Sequence, residues 1–192
     1  MKVLLVDDEP FILQGLSVLI DWAAEGCEIV KMASNGKEAL LYLEDHEADL
    51  VITDIKMPVM SGLELLEQIR GRQISDAFFI ILSGYNDFSY AQKAIRYACM
   101  DYLVKPVQKE ALLELIRKAK SSLAVTEQNA ENERRMQEMQ LKQYIIALLR
   151  GKQNEEELKY VKERLRLGDG GLRYIHILSL IHISEPTRQA EI

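Results

Sequence analysis

Val3-Leu4-Leu5-Val6-Asp7-Asp8-Glu9-Pro10 runs from four uninterrupted apolar residues into three acids and a proline. So short an apolar run, without polar alternation, is the pattern of a strand buried on both faces of a parallel sheet. Pro10 suits the first turn of a helix, where its missing N–H is not needed. Ile12, Leu13, Leu16, Leu19 and Ile20 then recur at helical spacing. The alternation repeats along the chain. Glu28 to Ala33 reads as a second strand, and Asn35-Gly36 opens a helix with Ala39, Leu40 and Leu43. Leu50-Val51-Ile52-Thr53 is a third strand, followed by Leu63, Leu65, Leu66 and Ile69 on a helix. Phe78 to Leu82 is a fourth, followed by a helix with Phe88, Ala91, Ala94 and Ile95. Tyr102-Leu103-Val104 is a fifth, and Leu112, Leu113, Ile116 and Ala119 line a last helix. Five βα units with right-handed crossovers predict an α/β fold over residues 1–122, a doubly wound five-stranded parallel sheet.

Composition narrows the class. The 192 residues are 48% hydrophobic and 28% charged, enough apolar content to bury a core. The longest apolar runs, such as Phe78-Phe79-Ile80-Ile81-Leu82, fall far short of the roughly 20 residues of a membrane span. Acid arrives too early in the N-terminal stretch for a signal peptide. Cys27 and Cys99 are isolated thiols without metal-type spacing, as expected in a reducing compartment. A cytoplasmic protein with no membrane partner is the expectation. Residues 1–122 hold 13 Lys/Arg against 19 Asp/Glu, while residues 123–192 hold 11 of each. An acidic first half without a basic stripe is a poor nucleic-acid surface.

Residues 123–150 lack Pro and strand pattern. Thr126 to Arg135 is almost wholly polar, and Leu141, Ile145, Leu148 and Leu149 restore an apolar face. This predicts a helical linker, continuous or once broken, either a solvated helix or a short coiled coil. The heptad through that face is interrupted by Arg134 and Gln137. Gly151 closes the helix; Glu155 to Leu167 reads as another, and Tyr174 to Leu178 as a strand, so residues 151–177 begin a further domain that is truncated. Leu178 to Arg188, Leu-Ser-Leu-Ile-His-Ile-Ser-Glu-Pro-Thr-Arg, resembles the translation of a transposase sequencing adapter. The native frame is therefore expected to end near Ile177, and residues 178–192 are given no functional weight.

The polar residues at the strand ends carry the chemistry. Asp7 and Asp8 follow the first strand, Asp54 ends the third, Ser83 the fourth, and Lys105 follows the fifth. In an open parallel sheet, ligands bind beyond the carboxyl ends of the strands. Three carboxylates meeting there repel one another unless a cation intervenes. A hard divalent ion with oxygen ligands, Mg²⁺ completed by water, relieves that repulsion. Such an ion beside an ammonium and a hydroxyl makes a receptacle for a phosphoryl group, which a carboxylate oxygen can attack in line. His46, His176 and His182 form no ligand set, Met57 and Met60 read as packing residues, and Glu9 suits a helix N-terminus.

Val6-Asp7-Asp8-Glu9-Pro10, Asp54-Ile55-Lys56-Met57-Pro58, Ser61-Gly62, Leu82-Ser83-Gly84-Tyr85 and Asp101-Tyr102-Leu103-Val104-Lys105-Pro106 together resemble the motif set of two-component response-regulator receiver domains. The resemblance covers about residues 1–122 and implies a flavodoxin-like sheet of order 2-1-3-4-5. It implies that Asp54 is the phosphoacceptor, that Asp8 ligates Mg²⁺ directly, that Asp7 supports the metal through water, and that the Lys56 backbone carbonyl completes the shell. Ser83 would be the switch hydroxyl, Lys105 the phosphoryl ion pair and Tyr102 the state-reporting aromatic, the alternative for Tyr102 being a half-buried core residue. Lys105-Pro106 would be a cis peptide. Ser stands at position 83 where Thr is commoner, which keeps the donor. Ala98-Cys99 stands where such domains usually show Gly-Ala, so the turn before the fifth strand can differ in backbone geometry. Lys56 and Tyr85 flank the site at positions that influence access of hydrolytic water, and both are large, so a long-lived phosphoryl group is expected.

The implied partner is a sensor histidine kinase, with homodimerisation on phosphorylation left open. Tyr144 to Gly151, the Glu-rich helix and the Tyr174 strand resemble, more loosely, the middle segment of response regulators of the YesN/AraC type. That implies transcription control by a longer parent, with DNA contacted only through a missing helix-turn-helix domain. The chain is then no enzyme beyond its own Mg²⁺-dependent phosphorylation and dephosphorylation. A stand-alone phosphorelay receiver is the alternative, against which the long linker argues. A phosphatase with an Asp nucleophile is the other, but Asp7-Asp8-Glu9 lacks its two-residue spacing.

Overall fold

The computed structural model describes residues 1–84, 96–149 and 155–165. Its elements are β1 (Lys2–Val6), α1 (Pro10–Leu19), β2 (Glu28–Ala33), α2 (Gly36–Asp45), β3 (Leu50–Asp54), α3 (Gly62–Arg72), β4 (Phe78–Ser83), β5 (Asp101–Val104), α4 (Lys109–Leu149) and α5 (Glu155–Leu165). The five strands form one parallel sheet in the order β2-β1-β3-β4-β5. The doubly wound reading is therefore correct, including the strand order. The expected helix with Phe88, Ala91, Ala94 and Ile95, together with Tyr85, Gly151 and the Tyr174 strand, lies outside the described residues.

Strand alternation sorts the core into two layers, because successive side chains point to opposite faces. Leu4, Val6, Val51, Phe79 and Ile81 meet Ala39, Leu40 and Leu43 of α2 and Leu65, Leu66 and Ile69 of α3. Val3, Leu5, Leu50, Ile52, Ile80 and Leu82 meet Leu16 of α1 and Leu112, Leu115, Ile116 and Ala119 of α4. Both faces are covered, which is why every residue of β3 is buried and the strands read as unbroken apolar runs.

The chain divides into two compact units, Met1–Val125 and Thr126–Ile192. Helix α4 runs unbroken for 41 residues across that division. Within the second unit, the Tyr144 ring meets the Tyr160 ring of α5 edge-on at 5.3 Å between centroids, and Val161 is buried. No helix of the described residues is long and apolar enough to cross a membrane.

Candidate functional site

At the carboxyl edge of the sheet, Val6 of β1 pairs with Thr53 of β3, and backbone hydrogen bonds just past the strands link β1 to β2 and both β3 and β5 to β4. The N–H of Asp7, just past β1, donates to the Ala33 carbonyl at 3.1 Å. The N–H of Ile55, just past β3, donates to the Leu82 carbonyl at 3.1 Å, and that of Lys105, just past β5, to the Ser83 carbonyl at 2.7 Å. Asp54 stands opposite Leu82 and Ser83 opposite Val104 in the ladder. Asp7, Asp54, Ser83 and Lys105 are thus brought to one edge by register alone.

Two of the carboxylates share one ammonium. Lys105 Nζ lies 2.7 Å from Asp7 Oδ2 and 2.8 Å from Asp54 Oδ1. The remaining oxygens are also held: Asp7 Oδ1 accepts the Glu9 N–H and Asp54 Oδ2 accepts the Lys56 N–H, both at 3.0 Å. Asp7, Asp54 and Ser83 are buried, and Asp8 and Lys56 are exposed. Burial pushes the Asp54 carboxyl above its ordinary value; Lys105 and the Lys56 amide pull it down, and the Asp7 charge adds to the rise. Burial works against the Lys105 charge too, but its hydrogen bonds to Asp54 and Asp7 outweigh it and leave that ammonium above its ordinary value. At Asp54, the loss of solvation outweighs what the shared ammonium returns.

Above this pair opens a cavity of about 260 Å³, lined by Asp8, Glu9, Asp54, Ile55, Lys56, Ser83, Gly84 and Lys105. Its lining carries three carboxylates (Asp8, Glu9 and Asp54) against two ammonium groups (Lys56 and Lys105), with the Asp7 carboxylate behind Lys105, and that excess of negative charge and oxygen ligands fits a hard divalent cation. Among the described residues, no three acid, His or Cys side chains are drawn together as a ready-made metal cage. Mg²⁺ does not need one, because it keeps several waters and is commonly held by one or two carboxylates. The residues fit the ion by chemistry and leave most of its shell to solvent.

Tyr102 lies on β5, half-buried against the α2/α3 core layer. The Lys105–Pro106 peptide is cis. Ala98, the residue standing in place of the usual glycine, has φ 54°, inside the left-handed region that glycine favours. Tyr85 lies outside the described residues.

Sequence reasoning left two features unread. It linked Asp7 to a metal, whereas the side chain also anchors Lys105, and only the three-dimensional register reveals that contact. It quoted Ser61-Gly62 without seeing what the glycine does. A Cβ on Gly62 would fall 2.1 Å from the Asp54 carbonyl oxygen and 2.7 Å from Thr53 Oγ1. Helix α3 therefore starts directly on the backbone of Asp54, an approach only glycine permits. The signal was present: Ser61 and Glu64 form a capping box, in which Ser61 Oγ accepts the Glu64 N–H at 3.2 Å and Glu64 accepts the Ser61 N–H at 2.8 Å. That places a glycine at the first helical position.

A doubly wound sheet with acids, a hydroxyl and a lysine at the carboxyl ends of β1, β3, β4 and β5 defines a receiver-type α/β domain. The chain belongs to the response regulator receiver domain family, whose model matches residues 3–117. It is 39% identical over 112 residues to the uncharacterized transcriptional regulatory protein YesN of Bacillus subtilis (strain 168), covering 58% of this chain and 30% of that protein. It is 42% identical over 115 residues to the transcriptional regulatory protein HptR of Staphylococcus aureus (strain N315), covering 60% and 44%. Among solved structures, the REC domain of AraT, a response regulator from Geobacillus stearothermophilus, matches with TM-score 0.60 and 39% identity, over 66% of this chain and 97% of that one. A CheX-CheY-BeF3-Mg²⁺ complex from Borrelia burgdorferi matches with TM-score 0.54 and 28% identity, over 59% and 84%. The matches to these two curated relatives span less than half of their length.

Proposed function

We propose that Asp54 is the phosphoacceptor of this receiver and that its esterification is the signal. The observation that carries the reading is the Lys105 ammonium bridging Asp7 and Asp54 at the floor of the cavity. A cation fixed there by a second, buried carboxylate stays in place when Asp54 changes charge. An Asp54 oxygen attacks the phosphorus of a donor such as a sensor kinase's phosphohistidine; the O–P bond forms as the donor's P–N bond breaks and its electron pair leaves with the imidazole. Lys105 is placed to pair with a phosphoryl oxygen. Mg²⁺, held by Asp8, Asp54 and the Lys56 carbonyl, with Asp7 acting through water, would neutralise charge on the other oxygens.

Phosphorylation adds about 1.5 to 2 negative charges where one carboxylate stood. Ser83, at the end of the neighbouring strand, then donates to the new oxygens, and Tyr102 on β5 follows into the space it leaves. The outer face along β5 changes shape as a result. In the longer parent this surface controls transcription through an AraC-type helix-turn-helix domain. The chain itself turns over no other substrate.

Incubation with acetyl phosphate and Mg²⁺, read by intact mass, tests the reading. One phosphoryl group per chain, absent from Asp54→Asn and from samples with chelator, is expected. Multiple turnover of acetyl phosphate without an adduct would make the site a hydrolase instead.

A further inference from the structure

The loop from β3 to α3 carries backbone strain. Val59 has φ 69°, in the left-handed region, and its side chain is 84% exposed. The Met60 N–H donates to the Pro58 carbonyl at 2.8 Å, so Val59 is the centre of a γ-turn of the rare, strained form. A β-branched residue keeps such a backbone only where its surroundings over-determine it. An exposed side chain supplies no packing to do so, and the hold comes from the flanks. Met57 and Met60 pack against the α2/α3 core layer, and the Met60 carbonyl accepts the Gly36 N–H at 3.0 Å.

Gly36 is the buried first residue of α2, far from Asp54 in sequence and outside the lining of the strand-end cavity. A Cβ there would fall 2.7 Å from the Met60 carbonyl oxygen and 2.8 Å from Met60 Cγ. Its backbone is helical, so space rather than a left-handed φ demands the glycine. Its N–H is one of the first-turn donors that a helix cannot satisfy internally, and here it is spent on the loop. The Asn35 side chain fixes that helix end by accepting the Glu38 N–H at 2.9 Å. On the far side of the loop, the Gly62 N–H donates to the Ile55 carbonyl at 3.1 Å, and the Lys56 N–H is held by Asp54 Oδ2. The Lys56 carbonyl thus lies on a stretch pinned at both ends.

We infer that Gly36 is a positioning residue for the metal: by bracing the strained turn at Val59, it holds the Lys56 carbonyl where it can ligate Mg²⁺. The inference rests on the reading of that carbonyl as a Mg²⁺ ligand. The turn stores the cost of a left-handed valine, so a weakened brace lets it relax to negative φ, and the peptide planes between Lys56 and Met60 turn with it. Glycine at position 59 carries no such drive, because either sign of φ suits it. Brace and strain are therefore coupled, and substitutions at 36 and 59 are not additive.

Mg²⁺ titration of the full chain without phosphoryl donor, followed by amide chemical shifts, tests this. Gly36→Ala should weaken Mg²⁺ binding about tenfold, as loss of a group that orients a metal ligand does, and Gly36→Ala/Val59→Gly should recover most of that loss. Gly71→Ala, on α3 with open space at its Cβ, should bind Mg²⁺ as the parent does. Met60→Ala loosens the same brace without a clash and should weaken binding about threefold, which keeps the test open if Gly36→Ala fails to fold. Parent-like affinity in Gly36→Ala or Met60→Ala would overturn the inference. So would a double variant no better than Gly36→Ala, since a merely structural glycine gives Val59→Gly nothing to repair at the metal. A parent chain that binds no Mg²⁺ would refute the reading of the site itself, and this inference with it.

Discussion

Lys105 serves two buried acids at once, and the consequence is legible in how the fold responds to pH. Burial holds the Asp54 carboxyl above its ordinary value, so the folded chain binds that proton more readily than the unfolded chain does. For an acid raised in this way, stability is greatest below the unfolded value near pH 4 and falls as pH rises through the folded value. Asp54→Asn, which removes the charge and leaves Lys105 on Asp7, should thus be more stable than the parent at pH 7 in chelator. Urea midpoints at pH 7 and pH 4 check this: the gain should shrink toward pH 4, and a loss of stability at pH 7 would contradict it. A second residue, Ala98, has its backbone at φ 54°. Left-handed backbone costs a residue with a Cβ about 1–2 kcal/mol, part of which glycine returns as chain entropy. Ala98→Gly should therefore raise stability by about 1 kcal/mol by denaturant unfolding. The departure from Gly-Ala was visible in the sequence; that the turn keeps its left-handed geometry and bears strain was not, since no local pattern reports a dihedral.

At the scale of elements, the strands were readable because a sheet covered on both faces demands unbroken apolar runs, and β1, β3 and β4 have them, whereas their order followed only from the resemblance to receiver domains. The four strand-end residues were readable because each sits at the step from apolar run to polar turn. The close approach of α3 to β3 was not, because a glycine looks the same whether a turn, a cap or a neighbouring carbonyl requires it. The structure separates these roles and predicts two different costs. Ser61→Ala removes one half of the capping box and should cost about 1 kcal/mol without altering phosphorylation. Gly62→Ala drives a methyl into the Asp54 carbonyl and should cost about 2–3 kcal/mol, and more tellingly should slow phosphorylation from acetyl phosphate, since Asp54 itself must shift. Equal phosphorylation rates in the two variants would refute the link between α3 and the site.

For the whole molecule, the strand-end site lies wholly within the first compact unit, Met1–Val125. The acidic excess, six charges, lies entirely within residues 1–122, which suits the cation proposed for the strand-end site better than a phosphate backbone. Lys56 lines the cavity and stands exposed beside Asp54, so water would have to reach a phosphoryl group on the proposed acceptor past a long side chain. The adduct should persist for minutes or longer after the donor is removed; decay within seconds, followed by intact mass, would contradict this. All of it depends on which atom carries the phosphate. Peptide mapping by mass spectrometry after reaction with acetyl phosphate and Mg²⁺ answers that directly. The modification should lie on Asp54 alone, and a phosphoryl group mapped to any other residue, with Asp54 unmodified, would contradict the account.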